Sequence, residues 1–162
     1  MAQEPKQKRG RWRVGDILRI DLQDGRHAYA QVATKPIIVF FDGAFTDEPP
    51  AESLPNLPVA FRLGVYRYAV TKGLWPVVGN EPLTEENARE PVFFMQDAFS
   101  GRLSLYHSSF ANYQRPATLA ECEGLERVAV WEPEHVVDRL RDHFAGRPNK
   151  WVESLSIKVL KP

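Results

Sequence analysis

Residues 15–43 read GDILRIDLQDGRHAYAQVATKPIIVFFDG and carry the clearest secondary-structure signals in the chain. Apolar residues at 17–22 are followed by Asp24-Gly25, and an Asp-Gly pair supplies the positive φ angles that a tight hairpin turn needs. A return strand at 27–33 and a nearly continuous apolar run at 37–41 come next. The segment therefore predicts three consecutive antiparallel strands.

The short connections of this meander predict a strongly bent antiparallel sheet, with an SH3-like partial barrel in the N-terminal part, although a flat sheet would give the same pattern. Residues 44–58 contain four prolines and three acidic residues without periodicity, which predicts a surface loop. Strand character resumes at residue 59 and is expected to continue to residue 70, with both faces apolar enough for a central strand.

Residues 72–79 are bracketed by glycines and broken by Pro76, which favours an edge strand or an extended connection. Trp75 stands beside Gly73 and Pro76 on this segment, and we expect it to be an exposed anchor for a partner. Two further short strands are predicted at 92–96 and 103–107.

The C-terminal third changes to helical periodicity. Thr118 and Glu121 have the spacing of a capping box, and a strand is predicted at 127–131. Pro133 suits the first turn of a helix, and Gly146 suits its end. Between them an apolar stripe is formed by Val136, Val137, Leu140 and Phe144. The fold class is therefore α+β, with one main helix near the C-terminus packed on the sheet; residues 151–160 fit either a strand or a helix.

Composition limits the classes of function. The chain has 162 residues with 21 basic and 21 acidic side chains, so its net charge of zero argues against a nucleic-acid-binding surface over the whole protein. Its single cysteine, Cys122, excludes an intrachain disulfide and cysteine-based zinc modules. We found no signal-peptide pattern and no apolar run long enough to span a bilayer, so we expect a cytoplasmic protein without membrane contact.

Charge is unevenly distributed along the chain. Basic residues dominate residues 1–13, and we expect a flexible basic arm there, followed by a single α+β domain at 14–162. The arm could contact phosphate or an acidic partner, or it could be a solvated terminus.

No catalytic motif is visible. Glycine-rich phosphate loops and the hydrolase elbow are absent, and the spacing of the histidines brings no pair of imidazoles to one metal ion. We therefore predict no enzymatic activity, no catalytic residues, no cofactor and no metal. On the main helix, His135, Arg139 and His143 lie beside an acidic stripe of Glu134, Asp138 and Asp142. This pattern fits a solvated face or a partner-binding face.

Three segments together resemble the immunity protein 26 family of bacterial polymorphic toxin systems. They run from Gly15-Asp16-Ile17 to Phe41-Asp42, from Gly73 to Gly79, and from Glu123-Gly124 through Trp131-Glu132-Pro133 to Arg139. The resemblance implies an immunity protein that binds and neutralises a cognate toxin by occluding it, and it brings no catalytic residues. Some relatives carry a phosphotriesterase label, which the histidine spacing here does not support.

The candidate partner-binding residues are Asp24, Arg26, Tyr29, Asp42, Trp75, Asp138 and Arg139. Tyr29 and Trp75 could equally be core residues, since large aromatic side chains dominate both cores and interfaces. Two other functions stay open: a phosphotriesterase-like metal-dependent hydrolase, which needs at least three imidazoles and carboxylates in one pocket, and an SH3-like nucleic-acid-binding module, which would use the basic arm with exposed Tyr or Trp.

Overall fold

The computed structural model describes residues 12–159, which form two compact units. Unit 1 comprises residues 12–89 and 130–147, and unit 2 comprises residues 90–129 and 148–159. The predicted basic arm lies outside the described residues, apart from its last two positions. The single domain expected at 14–162 stays a prediction.

Strands and helices alternate along both units. The strands, in chain order, are β1 (Asp16–Asp21), β2 (His27–Val32), β3 (Ile37–Phe41), β4 (Val59–Val65), β5 (Val77–Asn80), β6 (Phe93–Gln96), β7 (Leu103–Tyr106), β8 (Gln114–Pro116) and β9 (Val130–Trp131). The helices are α1 (Tyr68–Thr71), α2 (Glu85–Ala88), α3 (Leu119–Cys122), α4 (Pro133–Ala145) and α5 (Lys150–Ser154), with 3-10 helices at Ala51–Asn56 and Ala111–Tyr113. The predicted α+β class is confirmed.

Unit 1 is built on a sheet with the strand order β5-β1-β2-β3-β4-β9. Strands β1 to β5 pair in antiparallel fashion, so the predicted meander and the edge position of β5 are confirmed. The β1–β2 turn closes at Asp21 and His27, and Gly25 in this turn has a φ of 86°, as an Asp-Gly turn requires. The sheet formed by the described strands is open, and the SH3-like detail stays a prediction.

Both faces of this sheet are covered, because successive strand residues point to opposite sides. One face buries a cluster that includes Tyr29, Val39, Phe41 and Leu54, the last contributed by the first 3-10 helix. On the other face the rings of Phe40 and Phe61 pack together with centroids 5.1 Å apart. Helix α4 covers that second face.

Helix α4 follows the sequence prediction closely. It begins with Pro133 and ends before Gly146, whose φ of 66° and ψ of 31° give the left-handed cap. Val136 and Leu140 of the apolar stripe are fully buried, which contributes roughly 1.5–3 kcal/mol of gross stabilisation each. The guanidinium carbon of Arg139 lies 4.0 Å from the centre of the Phe61 ring. The predicted main helix therefore packs on the sheet.

The predicted extension of β4 to residue 70 is wrong. The strand ends at Val65, and helix α1 follows, with the amide of Thr71 donating to the carbonyl of Arg67 at 3.0 Å. Ala69 and Val70 are adjacent in sequence, and both are buried. In a strand, adjacent side chains point to opposite faces, so a helical turn buries both on one side more readily. The i, i+2 spacing of Tyr66 and Tyr68 resembles a strand, so the change from strand to helix was not recognised in the sequence.

Two other predicted segments, a loop and a strand, differ in the structure. The loop expected at 44–58 contains the 3-10 helix Ala51–Asn56, because Leu54 is drawn into the core and its carbonyl accepts the amide of Leu57 at 3.0 Å. The strand expected at 127–131 is limited to Val130–Trp131 and runs parallel to β4, unlike the other pairs of the sheet.

Unit 2 contains the antiparallel sheet β6-β7-β8, which confirms the two predicted short strands. Its core is formed by Phe94, Leu105 and Cys122. Thr118 and Glu121 form the predicted capping box at the start of α3. Of residues 151–160, for which strand and helix were both left open, residues 151–154 belong to helix α5 (Lys150–Ser154), and residues 155–159 form neither helix nor strand.

Candidate partner-binding surface

A groove of about 430 Å³ opens on the surface of unit 1 between the β1–β2 turn, the segment after α1 and the start of α4. We call it the acidic groove, because three carboxylates and no lysine or arginine line it. Its lining includes Asp21, Gln23, Leu74, Trp75, Glu134 and Asp138.

Each carboxylate of the acidic groove is held by local structure. Asp21 ends β1, and its Oδ1 accepts the backbone amide of Gln23 at 2.7 Å. Glu134 and Asp138 lie four residues apart on α4, so both project from one side of the helix. The turn and the helix thereby set three negative charges around one opening.

The floor of the acidic groove is apolar. Trp75 is only 3% exposed, and its ring meets that of Phe40 edge on, with the centroids 5.8 Å apart. The neighbouring Leu74 is 49% exposed on the rim. A partner could therefore bury Leu74 against its own apolar side chain while its cations face the carboxylates.

The expectation that Trp75 is an exposed anchor is wrong. Helix α1 ends at Thr71, and Gly73, whose φ is 73°, lies in the turn that follows it and leads into the buried Trp75. The amide of Trp75 then donates to the carbonyl of Ala69 at 2.8 Å, two residues before β5 begins. Trp75 is a core residue that supports the groove, and the exposed apolar contact is Leu74.

Tyr68 holds one carboxylate of the acidic groove and stacks on a neighbouring tyrosine. Its hydroxyl donates to Glu132 and to Oε2 of Glu134, the latter at 3.3 Å. The hydrogen bond to Glu132, followed by burial and the charges of both carboxylates, raises the pKa of Tyr68. The ring stacks on Tyr66 with the centroids 6.1 Å apart. Glu134 is therefore held by a donor that stays protonated at neutral pH.

Of the other predicted residues, Asp24 and Arg26 lie at the turn next to the acidic groove. Their side chains form an ion pair with a shortest distance of 2.7 Å. This hydrogen bonding to Arg26 lowers the pKa of Asp24, and the charge of Arg141 on α4 acts in the same direction. The sequence prediction thus named residues in and beside the groove: Trp75 and Asp138 line it, and the Asp24–Arg26 pair adjoins it.

Three predicted residues lie away from the acidic groove. Tyr29 is buried on the opposite face of the sheet, where its ring meets Phe45 edge on. Asp42 is exposed at the end of β3 and lies 2.9 Å from Nε2 of His143 on α4. Arg139 lies over the rings of Phe61 and Trp131, so its side chain covers the core.

Asp21, Gln23 and Leu74 also line the acidic groove, and none of the three was predicted as a site residue. Their spacing from Asp138 along the chain gives no sign that the fold brings them together. Phe99 was not predicted either, and it is 96% exposed at the β6–β7 turn of unit 2. There, Oδ1 of Asp97 accepts the amides of Phe99 and Ser100, which lowers the pKa of Asp97. The order Asp-x-x-Ser-Gly was a usable signal for this turn.

Residues 12–159 contain neither a metal-ligating cluster nor a helix that could span a membrane. No group of three or more His, Cys, Asp and Glu side chains in this range is arranged to hold a metal ion. His107 instead contacts Ser109 Oγ at 2.7 Å and Glu90 at 3.4 Å. In the same part of the chain, no helix has the length and apolar character needed to cross a bilayer.

Comparison with known proteins agrees with the resemblance described above. No curated protein and no solved structure matches this chain. The family model described as Immunity protein 26 matches residues 13–105, which include the β1–β2 turn and Leu74 of the acidic groove. Because the match covers more than half of the sequence, the chain belongs to the immunity protein 26 family.

Proposed function

We propose that this protein binds and neutralises one cognate bacterial toxin of a polymorphic toxin system by occluding it, without turning over a substrate. Membership of the immunity protein 26 family supports the class of partner. The observation that supports the mode of binding is the acidic groove, in which exposed Leu74 stands among three carboxylates over a buried aromatic floor.

The acidic groove combines the two elements that tight interfaces use. Contact with the exposed apolar Leu74 removes water, and the carboxylates of the groove select the partner and fix its orientation. The surface of the toxin that fits is therefore an apolar side chain flanked by lysine or arginine. Occlusion needs an interface of about 800 Å² on each partner, so the groove is the centre of a larger contact.

Inhibition by occlusion requires a preformed binding surface and does not require catalytic residues. Tyr68 and the β1–β2 turn hold two of the three groove carboxylates before any partner arrives. Such preorganisation reduces the ordering cost of binding.

The cytoplasm is the compartment that we propose. Cys122, the only cysteine, is buried in unit 2, and burial raises the pKa of its thiol. The fold is thus built without disulfides, which suits a reducing compartment.

The test is co-expression with the toxin encoded beside this gene, followed by calorimetry on the purified pair. Wild type should protect the cells and form a complex of defined stoichiometry. Leu74→Ser and Glu134→Lys should each weaken the complex about tenfold or more while Tm stays within about 2 °C of wild type. Toxin that stays fully active in the presence of excess wild type would reject the proposed function.

Matched controls separate the groove from general surface effects. Leu119→Ser removes a leucine of similar exposure from unit 2, and Glu85→Lys reverses an exposed charge in the first turn of α2. Both should bind the toxin like wild type. An enzyme assay on the isolated protein is the second arm, and measurable destruction of the toxin or its product would replace occlusion by catalysis.

A further inference from the structure

A second groove in unit 1 has the opposite charge. It has a volume of about 790 Å³, and its charged lining residues are Arg13, Lys35 and Arg67, with no carboxylate among the lining. We call it the basic groove. All three cations are exposed, and none makes an ion pair with another residue in the described range 12–159. Within the described part of the chain, these three positive charges therefore have no carboxylate partner.

The basic groove also has an apolar floor. Trp12 is 8% exposed and Val65 is buried, while Tyr66 is 45% exposed at the side. The indole Nε1 of Trp12 is buried and has no hydrogen-bond partner among the described residues. An occupant of this groove must therefore offer negative charge together with an apolar group.

A pair of stacked tyrosine rings links the two grooves. Tyr66 lines the basic groove, and Tyr68, stacked on it, donates from its hydroxyl to Glu134 of the acidic groove. Both openings therefore lie on unit 1, and the two tyrosines lie between residues that line them. A partner that covers one groove is well placed to reach the other.

We propose that the basic groove binds an acidic segment of the same toxin, one in which an apolar side chain is flanked by carboxylates. This inference rests on the proposed function and adds to it that the toxin is recognised by a bipolar surface. Opposite charges at two ends of an interface fix the orientation of the partner, because the reversed orientation places like charges together.

A protein segment fits this groove better than a nucleic acid does. The net charge of the chain is zero, and the acidic groove begins beside the two tyrosines. A phosphate chain that extended beyond the basic groove would meet those carboxylates, whereas a short acidic segment would not. Affinity for nucleic acid also grows with the number of phosphates neutralised, and three cations neutralise few.

The experiment measures binding of the cognate toxin to wild type and to Lys35→Glu/Arg67→Glu at two salt concentrations. The double variant should bind about tenfold or more weakly, mainly through slower association, and its affinity should depend less on salt. Lys35→Arg/Arg67→Lys keeps both charges and should bind like wild type. Arg89→Glu reverses an exposed charge of α2's C-cap, outside both grooves, and should have no such effect.

The outcomes distinguish this inference from the proposed function. If the toxin binds wild type and the double variant equally, the basic groove is not part of the interface, while the proposed function stands. If wild type does not bind the toxin, both fail. Where the double variant does not fold, Arg67→Ala takes its place with a smaller expected loss, and unchanged affinity for Arg67→Ala would overturn the inference.

Two further measurements examine other occupants. Fluorescence anisotropy with a labelled single-stranded oligothymidine tests nucleic acid, and sedimentation of the free protein tests a second copy, whose acidic groove could complement the basic one. Binding of oligothymidine, or self-association, that is lost in Lys35→Glu/Arg67→Glu would assign the groove to that occupant and overturn the inference.

Discussion

The side-chain amide of Asn87 donates to the side-chain oxygen of Gln31 at 3.2 Å, and both residues are buried in unit 1. Asn87 donates also to the carbonyl of Pro55, and Gln31 donates to that of Glu81 at 2.8 Å. Strand β2 is thus joined through side chains to two of the segments that cover the sheet. A buried polar network of this kind stabilises only while its members stay paired.

Replacing Asn87 should therefore destabilise the fold. Asn87→Ala leaves the oxygens of Gln31 and Pro55 without this donor, which should lower the free energy of unfolding by about 1–3 kcal/mol. Urea denaturation followed by tryptophan fluorescence measures the loss. Asn56→Ala, at an exposed end of the 3-10 helix, is the control and should change little. Equal stability of Asn87→Ala and wild type would show that the network is not stabilising.

The packing of α4 on the sheet can be tested at Leu140. Leu140→Ala removes a fully buried side chain and leaves a cavity, and we expect a loss of about 2–5 kcal/mol in unfolding free energy. Val152→Ala, at a partly exposed position of α5, should cost less than about 0.5 kcal/mol. A small effect at Leu140 would contradict the described contact between the helix and the sheet.

Substitutions at Gly15 and Gly25 distinguish two causes of strain, an unfavourable φ angle and a steric clash of the Cβ atom. Both have positive φ, 92° and 86°, but a Cβ on Gly15 would lie 2.7 Å from the carbonyl oxygen of Glu81, whereas one on Gly25 would meet nothing within 4 Å. Gly25→Ala should therefore cost only the conformational penalty, about 1–2 kcal/mol. Gly15→Ala should cost more, because the clash adds to it. Thermal denaturation of both variants checks the order, and equal losses would exclude a contribution from the clash.

The hydrogen bonds of Tyr68 predict a pH dependence. A tyrosine whose pKa is raised by folding stabilises the fold fully below its ordinary pKa of about 10, and the contribution is lost as the pH rises through the folded value. The raised pKa delays the ionisation of Tyr68, so between pH about 9 and 11 wild type should gain less additional tyrosinate absorbance over Tyr68→Phe than one ordinary tyrosine contributes. A clearly smaller gain in the variant would mean that Tyr68 titrates normally. Tyr68→Phe should also lower Tm at neutral pH.

Elements with local signals could be predicted from the sequence. The Asp-Gly turn fixes the β1–β2 hairpin, Thr118 and Glu121 fix the cap of α3, and Pro133 with Gly146 bounds α4. In each case the residues that determine the geometry lie within one element and its ends. Such signals do not depend on what packs against them.

The extent of β4 and the position of Trp75 depend on tertiary packing instead. Residues 66–70 alternate like a strand, yet the burial of adjacent Ala69 and Val70 makes the chain helical. The acidic groove had only a partial signature, since Asp138 and Trp75 were named while Asp21 and Leu74 were not. Residues this far apart in sequence meet only through the order of strands in the sheet, which periodicity does not encode.

The buried thiol of Cys122 can be used to measure the opening of unit 2. A maleimide can reach this sulfur, which is 1% exposed and belongs to the core of unit 2, only when that unit opens. Because the sequence offers no other thiol, the labelling rate measures that opening event alone, with and without a bound partner, and needs no engineered probe.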